Sequence, residues 1–116
     1  MKLISGTAAL SGAAVDNDIL TLPKRFIGKM RRLQVRNDSG AQRILNFFDR
    51  FTPDVSAGVA APAVTNVERW RMIIANASTI TLDGTEYPLF KLLNLFRVTS
   101  DAASAAIIVS YTIELN

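Results

Sequence analysis

The side chains able to do chemistry in this chain are carboxylates and amines, because cysteine and histidine are both absent. That absence removes Cys/His zinc sites, Ser-His-Asp and Cys-His machinery, and every imidazole base. Asp16 with Asp18, and Asp83 with Glu86, are close enough in sequence to share a hard cation. Neither pair sits in a run of oxygen ligands such as a calcium loop supplies, and both lie beside turn residues, where Asp is ordinary. Carboxylate catalysis would need two of these four residues to converge in one pocket. The expectation is a non-enzymatic protein with no cofactor and no metal.

The densest charge is basic: Lys24, Arg25, Lys29, Arg31, Arg32 and Arg36, with no acid before Asp38. Such a run reads either as an anion-facing edge or as cations that keep a sheet edge from aggregating. Nucleic-acid binders interleave aromatics for stacking, and here only Phe26 does so. The net charge is only +3. Neither nucleic acid nor membrane is an expected partner; an acidic protein surface and a solvated edge that blocks aggregation both stay open for the basic stretch. Trp70, Met72 and Ile74 form one apolar stripe, which reads as core or subunit interface before ligand groove. Tyr87, Phe90 and Trp70 are the rings a groove for sugar or nucleic acid would use.

These residues need elements to hold them, and the pattern is β throughout. From Ala105 to Leu115, Ile107, Val109, Tyr111, Ile113 and Leu115 alternate with Ile108, Ser110, Thr112 and Glu114. Period-two alternation rich in β-branched residues marks a strand with one buried face. Ile19 to Leu22 is a short strand ended by Pro23, and Met30 to Asn37 is another. Asn37-Asp38-Ser39-Gly40 is a turn signal, so Arg43 to Asp49 reads as the return strand of a hairpin. Residues 52–64 are small, with two prolines and no period, and read as a long loop of the kind that carries binding. Val67 to Ala75 and Ser78 to Leu82 are strands, and Leu92 to Thr99 is expected to pair with the last. Residues 1–12 read as a first strand or ordered arm, their apolar run being interrupted by Ser, Gly and Thr.

A shift of 62 positions brings the two halves into register: Lys29 onto Lys91, Leu33 onto Leu95, Leu45 onto Ile107, Phe47 onto Val109. Two such halves facing each other make an eight-stranded jelly roll. The shift predicts that Leu33, Leu45, Phe47, Leu95, Ile107 and Val109 share a core. The fold class is thus all-β, a β-sandwich of about eight antiparallel strands in one domain over 1–116. A chain of 116 residues buries roughly 65% of its unfolded surface, enough to fold without staples. Hydrophobic residues make up 49% and mean hydropathy is +0.22. Met30, Phe48, Phe96, Val98, Ile108 and the Trp70 stripe fall opposite the expected core positions. A half-solvated sheet should not carry so much outside, which points to packing against other chains around a symmetry axis.

The layout resembles small jelly-roll or β-sandwich structural proteins of tailed bacteriophages, capsid decoration (cement) proteins and related minor virion proteins. The residues carrying the likeness are Ile4-Ser5-Gly6-Thr7-Ala8-Ala9-Leu10, Asp18-Ile19-Leu20-Thr21-Leu22-Pro23, and Leu33 through Ala41. The ending Val98 through Leu115 completes it. The resemblance implies a location in the virion, self-association with a trimer favoured, and a major capsid or other virion protein as partner. The contacts would fall on Leu3, Ile4 and Leu10 of the arm, on Val59 and Pro62 of the loop, on Lys24, Arg25, Arg31 and Arg32, and on Trp70 and Met72. The reading from another class is a carbohydrate- or nucleic-acid-binding β-sandwich module at a phage tail or adhesin.

Overall fold

The structure, a computed structural model, describes residues 2–23, 26–52, 64–84 and 86–116. Nine strands appear among them: β1 (Lys2–Ala9), β2 (Asp16–Thr21), β3 (Gly28–Asn37), β4 (Arg43–Phe51), β5 (Thr65–Ile74), β6 (Ser78–Asp83), β7 (Lys91–Leu92), β8 (Leu95–Ser100) and β9 (Ile107–Leu115). They build two antiparallel sheets packed face to face. One has the order β1-β9-β3-β6, with β7 added to the end of β3, and the other β2-β8-β4-β5. This is an all-β, two-sheet antiparallel sandwich.

The halves are related internally. Exchange β1, β2, β3 and β4 with β5, β6, β8 and β9, and each sheet order becomes the other: β1·β9 maps onto β5·β4, β9·β3 onto β4·β8, and β3·β6 onto β8·β2. Hydrogen bonds at the corners obey the same exchange. Asp38 N donates to Ala106 O (3.0 Å), and its counterpart Asp101 N to Ile44 O (3.1 Å). Asn37 and Ser100, both buried, each accept on the side chain from the amide two residues on, Ser39 and Ala102.

Neither of the two expected hairpins forms. β3 and β4 lie in different sheets, as do β8 and β9. The turns after Asn37 and Ser100 are corners that carry the chain from one sheet to the other. Asn37 explains the first: its amide donates to the carbonyls of Ala41, Ile74 and Ala75. The corner is thereby lashed to the end of β5 instead of folding back on β3. The expected strand over 92–99 is broken at Leu93 and Asn94 into β7 and β8.

The core contains Leu33, Leu45, Phe47, Ile107 and Val109, each 0% exposed. Leu95 is instead half-buried on the outer side, and Phe96 and Val98 take the inner positions of β8. Met30 is inside as well, because Arg31 is an extra residue in β3 that shifts its register against β9 and resets the alternation. Much of the apolar surplus expected outside is therefore core. Phe96 is its centre, stacked on Phe47 (6.0 Å), tilted against Phe90 (6.2 Å) and edge-on to Tyr111 (6.0 Å). Burying each such ring stabilises the sandwich by about 1.5–3 kcal/mol.

One carboxylate belongs to this interior. Leu45, Phe47 and Asp49 share the inward face of β4, and Asp49 is 0% exposed. It accepts from Arg69 Nη2 (3.0 Å), Leu93 N (2.9 Å) and Asn94 N (3.2 Å). Those donors are the extra residue of β5 opposite Phe47 and Phe48 and the break between β7 and β8. Removing the carboxylate strands a guanidinium and two amides, so Asp49→Ala is expected to cost about 3–5 kcal/mol. Asp49→Asn, which keeps an acceptor, should cost markedly less; urea unfolding of the two variants measures both.

Candidate functional site

The outer face of the β1–β9–β3 sheet is built from the alternate residues that the core does not use. Leu10 N donates to Ile107 O at 2.9 Å, in line with the register that places Ala8 opposite Val109 and Gly6 opposite Tyr111. In an antiparallel ladder the pairs between these are the non-hydrogen-bonded ones, whose side chains stand closest. Ser5 and Thr112 are such a pair, with hydroxyls 2.9 Å apart, and so are Thr7 and Ser110, 3.1 Å apart. On the next strand Arg32 lies beside Thr112 and Gln34 beside Ser110, and Arg32 Nη2 donates to Gln34 Oε1 (3.3 Å).

An open trough of about 410 Å³ lies over these residues, with Gly6 and Tyr111 in its floor. Gly6 is needed there. A Cβ on it would lie 2.7 Å from Tyr111 Cζ, and Tyr111 packs inward edge-on to Phe96. The lining is five hydroxyls, counting the Tyr111 phenol, with one amide, one guanidinium and no carboxylate. It can donate to and accept from a polar or anionic group, but it holds no acid–base pair.

The residues expected to make contacts are scattered by the fold. Leu3 is 58% exposed beside the trough, and Ile4 points inward and is half-buried against the core. Leu10 and Met72 are core residues, 3% and 5% exposed, so neither is offered to a partner; alternation turns both inward. Trp70 is half-buried against Phe90, ring centroids 6.4 Å apart, so of the three candidate groove rings Tyr87 is the exposed one, 76%. Lys24, Arg25, Val59 and Pro62 lie outside the described residues.

The basic stretch is not one surface. Arg31 donates to Gly84 O (3.1 Å) and to Glu114 Oε2 (3.2 Å), with Lys29 Nζ 3.9 Å from the same oxygen. Arg36 grips Asp38 through two bonds, 2.7 and 3.0 Å. Among the described cations of the stretch, Arg32 alone lines the trough. Among the carboxylates, Asp18 accepts from Arg97 Nε (2.6 Å) and Asp16 from Thr99 Oγ1 (2.7 Å), both on β2 of the opposite sheet from Asp83. Among the described residues no three acidic side chains gather to hold a metal.

Sequence reasoning left the hydroxyl trough and Asp49 unremarked. The signal for Asp49 was its place two residues after Phe47, on the strand face that also carries Leu45. Ser110 and Thr112 stood in the polar half of the β9 alternation, but their partners on β1 follow only from the strand order. No family model and no curated protein matches the chain.

Three carboxyls titrate below the usual range for a physical reason. Asp18 is held down by the Arg97 guanidinium, Glu114 by Arg31 and then by the Asn116 amide, and Asp38 by Arg36. A depressed folded-state pKa contributes stability above the ordinary carboxylate range and loses it as pH falls through the depressed value. Stability should therefore decline on acidification below the ordinary carboxylate range. Arg97→Met should flatten the part of that decline due to Asp18 while costing under about 1 kcal/mol at neutral pH, because the pair is half-solvated. Unfolding curves from neutral to acid pH check both.

Proposed function

We propose that this chain is a non-enzymatic structural protein of a virion, a jelly roll that assembles with copies of itself and decorates or reinforces a phage shell. The observation that carries the reading is the strand order, β1-β9-β3-β6 facing β2-β8-β4-β5. Its internal exchange is what two interlocked Greek keys produce, and that architecture serves viral capsid domains. Exposed apolar residues at one end of the sandwich support contact with another chain. Ile27 (45%) and Leu93 (44%) flank the Gly28–Leu92 pair, and Phe26 (41%) adjoins them. Repetition over a lattice would make such small contacts strong together.

The second reading, a module for carbohydrate or nucleic acid at a tail or adhesin, is favoured by the trough. Its hydroxyls, Arg32 and Gln34 suit a polyol or phosphate better than the packed pair of Trp70 and Phe90 does.

Absolute mass by light scattering, followed by sedimentation with purified phage heads, tests the first reading. An oligomer that pellets with the heads is the expected result. A monodisperse monomer that stays in the supernatant overturns it. If that monomer binds polysaccharide, and Arg32→Ala with Gln34→Ala abolishes the binding, the second reading takes its place.

A further inference from the structure

Four strands end the two sheets, and three are protected as sheet edges usually are. β2 has a register break between Asp18 and Leu20 and carries Asp16 and Asp18. β5 is bulged at Arg69 and carries Glu68 and Arg71 as well. β6 spans only six residues and ends on Asp83. β1 has none of these devices. Its eight residues run opposite β9 without a register shift, contain no proline, and carry no charge after Lys2. Among the described residues nothing pairs with its other side.

The ladder fixes which groups lie open. Since Leu10 N is bonded to Ile107 O, the even residues of β1 direct their N–H and C=O groups to β9. The odd residues Leu3, Ser5, Thr7 and Ala9 direct theirs outward. We infer that this edge pairs antiparallel with β1 of a second copy, about a two-fold axis passing through Gly6. This names the self-contact in the assembly reading above and puts a two-fold in place of the trimer expected from the sequence.

A second copy is the occupant that fits on charge, spacing and side chains together. Centred on Gly6, Leu3 faces Ala9 of the second copy and Ser5 faces Thr7, so every open donor and acceptor of the four residues is met by about eight backbone bonds. The two glycines then meet at the axis, in a non-hydrogen-bonded pair where backbones approach most closely. Antiparallel order sends the two Lys2 ammonium groups to opposite ends, so no like charges face each other. On the outer face Ser5 of each chain stands beside Thr7 of the other, and hydroxyl pairs across strands are favourable. The Thr112–Ser5 and Ser110–Thr7 rows then run unbroken from one subunit to the next. The isologous contact closes at two copies and consumes the edge of both.

Thr7→Pro tests this, because it removes an outward N–H and leaves the β9 ladder untouched; proline is tolerated on the open side of an edge strand. The wild-type chain should scatter as a dimer, twice 12.7 kDa, at high concentration. Thr7→Pro should scatter at the single-chain mass with an unchanged circular-dichroism spectrum. Ser5→Lys combined with Thr7→Lys, which sets like charges across the axis without altering the backbone, should do the same should the proline variant not fold. Amide exchange gives the parity: Leu3, Ser5, Thr7 and Ala9 should exchange about tenfold more slowly in the dimer than on dilution, while Ile4, Gly6 and Ala8 stay protected in both. A wild-type chain monomeric at every concentration overturns the proposal. So does a trimer or dimer whose mass ignores these variants, and that result leaves self-assembly standing through another surface. Odd amides that stay unprotected until phage heads are added would assign the edge to another virion protein and overturn the second copy as occupant.

Discussion

The sandwich depends on a negative charge kept away from water. Asp49 sits at 0% exposure where a purely apolar residue would leave two irregular pieces of chain untied. Its oxygens hold Leu93 N and Asn94 N, the break that ends β7 on one sheet and lets β8 begin on the other, and Arg69, the extra residue of β5. A buried carboxylate is tolerable only when its lone pairs are satisfied and a cation is near. Here the break itself supplies amides that its own strands cannot use. The same group thereby solves two problems, orphan amides at a strand break and an inward-pointing charge, and the crossing from β7 to β8 follows from that coupling.

The exchange of strand order between the halves gives this arrangement its logic. The corners after Asn37 and Ser100 correspond bond for bond, through Asp38 to Ala106 and Asp101 to Ile44. They are held by different chemistry. Asn37 directs its amide to three carbonyls, two of them at the end of β5, whereas the Ser100 hydroxyl bonds within its own turn, to Ala102. The first corner is one residue longer, counting from Asn37 to Leu45 against Ser100 to Ile107. The larger amide bridges the added length.

That single residue explains where the sequence could be read and where it misled. β4 and β9 superpose under the shift that carries Leu45 onto Ile107, and their inner faces were legible. β8 needs one more position, since its inner residues Phe96, Val98 and Ser100 match Leu33, Val35 and Asn37 of β3. An alternation carried unbroken through the corner therefore puts Leu95 inside and Phe96 out. Bulges act the same way, and Arg31 reverses the face of everything before it in β3, which is why Met30 is core. The turn chemistry of Asn-Asp-Ser-Gly was legible too, but a turn signal does not say whether the chain folds back in its own sheet or crosses to the facing one. That choice rests on Asn37 reaching carbonyls on β5, a contact between residues far apart in sequence.

The open edge of β1 has its cause in the core. Tyr111 lies inward against Phe96, and its ring occupies the space that a side chain at position 6 would fill. A glycine is thus required in the middle of β1. With glycine at that position, β1 runs along β9 in an unbroken register. The Ser, Gly and Thr that interrupt the apolar run of residues 1–12 answer to that ring and to the hydroxyl rows Ser5–Thr112 and Thr7–Ser110. A bulge at this edge would displace Gly6 from Tyr111, and a charge at its even positions would enter the core. The usual protections of an edge strand are therefore closed to much of β1 by its own packing. Pairing with another strand protects its open side without disturbing either the ring or the hydroxyls.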